Sequence, residues 1–432
     1  MFDADKSMSE QRSSRQDIKR FQFEPRSYLF FILVGLTGHF VILSATFSIF
    51  TPENRRQVFI ALWLLTYLWG AIIFVRYLRK KPYLGLVSGT WARVILISLC
   101  ILTASSALWS ELPAQTVFFS FSLAATIFCG FVLSETVDVG KYLDYLLIVL
   151  NISVLLGLVA YIAGAEFAIY QDALERDNVF ETVAMTGLFP HKNISASMSL
   201  ICLLLNITWS RSHLIVRTTF SIISTLAIML SSSAGGLGLL FLSCFSLFAI
   251  LMFRYAPRTS RVALFWIFNL LASIATYIGL DWVLQTLGRD ENLTGRTVIW
   301  SAGREMFYER PLLGWGYQGI ITPEHSGPFF SFYYGSLYLP PHLHNSYLQF
   351  LVETGVLGTL LFAVVLVANM FNYVYAALVY SNRAALAMAL ICLVSAAQGM
   401  FEVVYSANSF GLALNAFALC AWPFFRSSIN RL

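Results

Sequence analysis

"HNSYLQFLVETGVLGTLLFAVVLVANMFNYVYAALV", His344 to Val379, joins two unlike kinds of chemistry. Its first part gathers His344, Asn345, Gln349 and Glu353, and its second part, from Leu357 on, carries no charge at all. At about 1.5 Å per residue that second part is long enough to cross roughly 30 Å of hydrocarbon. A polar motif running straight into a membrane span sets the fold class, and the rest of the chain repeats the second part many times over.

Hydrophobic residues make up 58% of the chain and charged ones 12%, with a mean hydropathy of +0.70. Soluble domains do not have this composition. The apolar runs place spans at residues 28–50, 57–76, 94–109, 116–134, 141–164, 194–210, 218–234, 235–253, 262–284, 357–379, 384–404 and 406–425. The chain therefore reads as an all-α integral membrane protein of about 12 transmembrane helices, with a large periplasmic loop between helices 9 and 10. By domain, residues 1–27 form a disordered cytoplasmic tail, 28–284 hold helices 1–9, 285–356 form the large loop with its polar motif, 357–425 hold helices 10–12, and 426–432 form a second cytoplasmic tail.

Lys and Arg fix the orientation, because cytoplasmic flanks are enriched in them. With the N-terminus inside, about twenty fall on inner flanks and about eight on outer ones, which puts both termini in the cytoplasm. The net charge of +5 then reports orientation and calls for no nucleic-acid partner. The lipid bilayer is the surrounding partner. All six cysteines lie inside spans without metal-binding spacing, so they read as packing residues.

Two outer segments are long, 165–193 and 285–356, and long connections in compact proteins are usually functional or disordered. Within the second, Gly295 and Pro311 bracket a helix running to about Glu309. Arg296, Trp300 and Arg304 share one face of it at four-residue spacing. Two guanidinium groups so placed make a clamp for an oxyanion, or else pair with Glu305, Glu309 or lipid head groups. Trp315, between Gly314 and Gly316, and the aromatic stretch after it form either a sugar-stacking rim or an interface belt.

Pro340 and Pro341 oppose helix, so a helix starts near His344 and Asn345, and Gly355 is placed to end it. An unperturbed imidazole titrates near about pH 6.5 and can take a proton from a hydroxyl, which makes His344 a candidate general base. The alternative is a helix-start histidine satisfied by backbone or water. His342 can share the task but is less firmly placed.

"HNSYLQFLVETGVLG" resembles the histidine–asparagine motif of the bacterial O-antigen ligase and O-antigen or exopolysaccharide polymerase family. "SALWSELP" at 106–113, "GLFPHKN" at 187–193 and "GRTVIW…RPLLGWGY" at 295–317 resemble the family's other motifs in order. The resemblance covers roughly residues 95–420. It implies a membrane glycosyltransferase of the C type, using no cofactor and no metal. Such an enzyme moves a glycan from undecaprenyl diphosphate to a hydroxyl of an acceptor glycan, or to lipid A core, on the outer side of the bacterial inner membrane. It also implies other polysaccharide export components as partners.

By the same resemblance His344 is the base and Arg296 holds the diphosphate; from their own placement, Arg304 on the helix face and Lys192 at the outer mouth of the sixth span are the next candidate cations. His342, Asn345, Trp300 and Trp315 are the expected glycan-side residues. One departure stands out: where the family commonly has a cation after a serine, "LSSSAGG" offers only Ser232 and Ser233. Polymerase is the favoured reading, ligase the alternative, and a polysaccharide or lipid transporter or flippase the reading from another class.

Overall fold

A computed structural model describes residues 52–80, 91–170, 183–286, 296–320, 342–407 and 410–420. Among these the chain is helical, with one isolated antiparallel bridge between Ile169 and Met185. The helices are α1 Pro52–Lys80, α2 Trp91–Ser105, α3 Pro113–Thr136, α4 Val139–Ile162, α5 Lys192–Thr208, α6 Leu214–Leu230, α7 Ala234–Phe253, α8 Arg261–Thr286, α9 Arg296–Glu309, α10 Ser346–Val379, α11 Arg383–Gln398 and α12 Phe410–Cys420.

Six of them, α1, α2, α3, α4, α7 and α10, are long and apolar enough to cross a membrane. α5, α6, α11 and the first part of α8 are shorter apolar helices. Their outward faces carry large apolar side chains, such as Val94, Phe241 and Leu270, each at least 60% exposed. Only a hydrocarbon solvent accommodates a surface of that kind, so the chain is a multi-pass membrane protein. The expected span at 28–50 and the two expected tails lie outside the described residues.

Local chemistry starts the helices where the sequence places breaks. Asp138, Ser233, Asn345 and Asn382 cap α4, α7, α10 and α11 with a side-chain oxygen on a free backbone N–H. The division at "SSSAGG" falls between α6 and α7, at Ser231–Ser233. One expectation needs correction: the span at 384–404 ends at Gln398. Residues 399–407 leave the helix because Ser346 takes over their hydrogen bonding. Its N–H donates to the Gly399 carbonyl (2.8 Å), while its hydroxyl donates to the Glu402 carbonyl (2.9 Å) and accepts from Val404 N–H (2.7 Å).

α10 is two helices across a kink at Gly355, whose φ of 64° is left-handed. The segment 310–319 lies against that kink, backbone to backbone. Trp315 and Gly316 donate to the Val352 and Glu353 carbonyls, and Val356 and Leu357 donate to those of Pro311 and Leu312. A Cβ on Gly355 would strike the Leu312 carbonyl, so both the conformation and the close approach require glycine. On its other side the segment meets the 106–112 turn, where Ser106 Oγ accepts from Tyr317 N–H at 3.0 Å. Below α9, Ile299, Ala302, Met306, Trp315, Ile320, Leu343 and Val352 form a small core of their own.

Candidate active site

Five connections meet at one end of the bundle: 106–112, 183–191, 231–233, the segments around α9, and 399–407. At their meeting point lies Glu402. Its Oε1 accepts from Asn193 Nδ2 at 2.7 Å and from Arg296 Nη2 at 3.3 Å. Its Oε2 lies 3.5 Å from His344 Nδ1. The carboxylate side chain is 10% exposed, against 18% for Arg296 and 19% for His344, so the two basic groups keep an open side that the acid lacks.

Burial would raise the Glu402 pKa, but His344, Arg296 and His191 outweigh it and hold the group at about 2. Glu402 is therefore a fixed anion. The separation from His344 is an ion-pair distance, longer than a good hydrogen bond, and among the described residues Nδ1 has no other hydrogen-bond partner. A proton on Nδ1, facing the carboxylate, leaves Nε2 with its lone pair free.

His344 is held by its neighbours. Both backbone groups of Leu343 are taken: its N–H donates to Gln349 Oε1 (2.9 Å) and its carbonyl accepts from Trp300 Nε1 (3.0 Å). Asn345 caps α10, accepting from Tyr347 and Leu348 N–H at 3.0 Å each. Between these anchors His344 has φ 49°, a left-handed conformation that few side chains adopt and that tends to mark functional sites. His342 stands beside it, ring centroids 4.2 Å apart, and its Nδ1 accepts the His344 N–H. Burial first, then the neighbouring His344, lowers the His342 pKa to about 4.

Asn193 is braced from behind, its Oδ1 accepting from Ser233 Oγ at 2.8 Å. The Ser232–Ser233 position thus reaches the carboxylate through a hydroxyl and an amide. His191 caps α5 and meets Tyr170 Oη at 3.1 Å, and Lys192 Nζ sits 4.6 Å from the centre of the Tyr170 ring. Burial lowers the His191 pKa, against the pull of Glu402.

Of the residues singled out from sequence, Arg296, His342, His344 and Asn345 come together. Arg304 is exposed along α9. Trp300 and Trp315 spend their indole N–H groups on the carbonyls of Leu343 and Met306, and the Arg310 guanidinium covers the Trp315 ring at 3.9 Å. Glu402, Asn193 and Ser233 were not singled out as site residues. The readable signal for Glu402 is that no other Asp or Glu follows Glu353.

His342, His344 and Glu402 each bring a potential ligand atom within 4.8 Å of the others. Two features oppose a cation there. Arg296 already sits on the same carboxylate, and a His342 that accepts at Nδ1 carries its proton on Nε2.

Residues 219–363 match the O-antigen ligase family. Among curated proteins, the chain is 34% identical over 134 residues to the exopolysaccharide production protein ExoQ of Rhizobium meliloti (strain 1021). That match covers 30% of this chain and 31% of the relative, so it spans about a third of either protein. The family segment contains Arg296 and the His342–Asn345 turn, whereas Asn193 and Glu402 lie outside it. Over that segment the chain is similar to the O-antigen ligase family and, in part, to an exopolysaccharide production protein.

Proposed function

We propose that the protein is a membrane glycosyltransferase that polymerises an exopolysaccharide or O-antigen on the periplasmic face of the inner membrane. The donor is a glycan on undecaprenyl diphosphate and the acceptor a hydroxyl of another glycan. The observation that carries this reading is one buried carboxylate, Glu402, shared between His344 and Arg296 where five connections meet. The exopolysaccharide role in the name of the relative favours a polymer product.

In this reading the acceptor hydroxyl attacks the anomeric carbon of the donor sugar as its proton passes to His344 Nε2. The bond from that carbon to the diphosphate oxygen breaks, and undecaprenyl diphosphate leaves with the electron pair. Glu402 keeps Nδ1 protonated, orients the ring and stabilises the imidazolium that forms. Arg296 meets the growing charge on the diphosphate, with Lys192 and Arg304 as the next cations to reach it. Neither metal nor cofactor has a part. Trp300 fixes the His344 turn through its indole hydrogen bond to Leu343, Trp315 ties its own segment to α9 through Met306, and His342 and Asn345 line the acceptor side of the turn.

The test is glycan output and lipid-linked intermediate in cells lacking the native gene and supplied with wild type, His344→Ala or Arg296→Ala at equal membrane levels. Loss of polymer with a single lipid-linked repeat accumulating is the expected result. Long lipid-linked chains that fail to reach lipid A would instead make the protein a ligase. Full activity in both variants would overturn the catalytic reading and bring transport forward.

A further inference from the structure

Away from this site, a groove of about 380 Å³ opens on the outward side of α5 and α6. Asn206 and Ile207 from α5 border it, together with an α6 stripe from Leu214 through Arg217, Ser221 and Thr225 to Leu226. The stripe differs from the other outward faces of the bundle. Where α7 and α8 present Phe241, Phe248, Ile267 and Leu270, α6 sets short hydroxyl side chains at Thr218, Ser221 and Thr225 between bulky Leu214, Ile222 and Leu226. The Thr225 hydroxyl turns back onto the Ser221 carbonyl at 2.9 Å, so the hollow keeps an apolar lining.

One end of the groove is charged. Arg217 spends Nε and Nη2 on the carbonyls of Asn206 (3.2 Å) and Ile207 (3.0 Å), which holds its guanidinium at the mouth. Arg211, stacked on Trp209, and exposed His213 lie in the same α5–α6 connection. From Leu214 to Leu226 the stripe rises about 18 Å at 1.5 Å per residue. Half the hydrocarbon thickness is roughly 15 Å, so the groove is one leaflet deep, apolar along its length and cationic at its mouth.

We infer that this groove holds one anionic phospholipid, its phosphate on Arg217 and one acyl chain along Ser221 and Thr225. A guanidinium binds phosphate by charge-assisted hydrogen bonds. A zwitterionic lipid of equal chain length offers the same tail but no net charge, so the head group decides between them. This site is separate from the Glu402 cluster, and its occupancy does not depend on the proposed reaction.

Native mass spectrometry of the full chain in mild detergent, with equal amounts of dioleoyl phosphatidylglycerol and dioleoyl phosphatidylcholine, tests it. The expected result is one retained phosphatidylglycerol, favoured about five-fold. Ser221→Phe, which fills the hollow and leaves Arg217 in place, should abolish retention of both lipids. Arg217→Gln should bring phosphatidylglycerol down to the phosphatidylcholine level. Equal retention of the two lipids by wild type, or unchanged retention by Ser221→Phe, would overturn the inference. So would a doubled mass that disappears with Ser221→Phe, which would put a second copy of the chain in the groove.

Discussion

The two ends of the helix bundle use arginine in opposite ways. At one end the guanidinium groups finish helices. Arg217 and Arg383 donate to the last carbonyls of α5, and Arg261 donates to Ala256 and to Leu378 near the end of α10. Their partners are backbone groups left over by helix geometry, and a cation there also complements the helix dipole. At the other end Arg296 faces a carboxylate that it shares with a histidine. The first arrangement serves the helix ends themselves, whereas the second sets a histidine and a cation on one shared anion.

That contrast predicts opposite outcomes for isosteric changes. Glu402→Gln keeps the shape but leaves His344 without its anion, so transfer should fall by roughly 10²- to 10⁴-fold while the protein still reaches the membrane. Measured on lipid-linked donor, a loss under about three-fold would break the comparison at its catalytic end. Gly355→Ala comes next. It forces a left-handed alanine against the Leu312 carbonyl, and should cost about 1–3 kcal/mol or more, seen as a lower Tm and a lower membrane level.

Arg383→Gln sharpens the other side. It removes a charged donor from the Thr208 carbonyl and should cost about 1.5–3 kcal/mol in stability with transfer per folded molecule unchanged. A changed pH–rate profile in that variant would show that the two ends are not independent.

The last effect concerns acid. His342 has its pKa lowered from 6.5 to about 4, so between those values the unfolded chain binds the extra proton and the folded one does not. Stability must therefore fall as pH drops from 6.5 toward 4, by at most about 3 kcal/mol. Glu402, lowered from 4.5 to about 2, adds its own loss only below 4.5. Thermal unfolding of His342→Gln should lose the first of these limbs and keep the second, and an unchanged profile would remove His342 from the account.

Much of this was legible in the sequence where a local signal and a tertiary demand agree. α9 is read from its flanking Gly295 and Pro311, and the break at Gly355 from one glycine in a helical pattern. The Glu402 turn was not, because "GMFEVVYS" keeps enough apolar residues for a hydropathy window to run through it. What ends the helix there is Ser346, distant in sequence, and no local pattern announces such a partner. Spacing also leaves rank order open: it sets Arg304 beside Arg296 on one helix face, and the structure adds that Arg296 touches Glu402 while Arg304 is exposed.

The order of these parts along the chain has a consequence for biosynthesis. Arg296 and His344 are made before α10 and α11, and Glu402 only after both. During insertion there is a period when the histidine and the arginine have already emerged but their common anion is still unmade. A partly inserted chain therefore holds two basic side chains without the carboxylate they share, and the cluster forms only once the turn beyond α11 has been delivered.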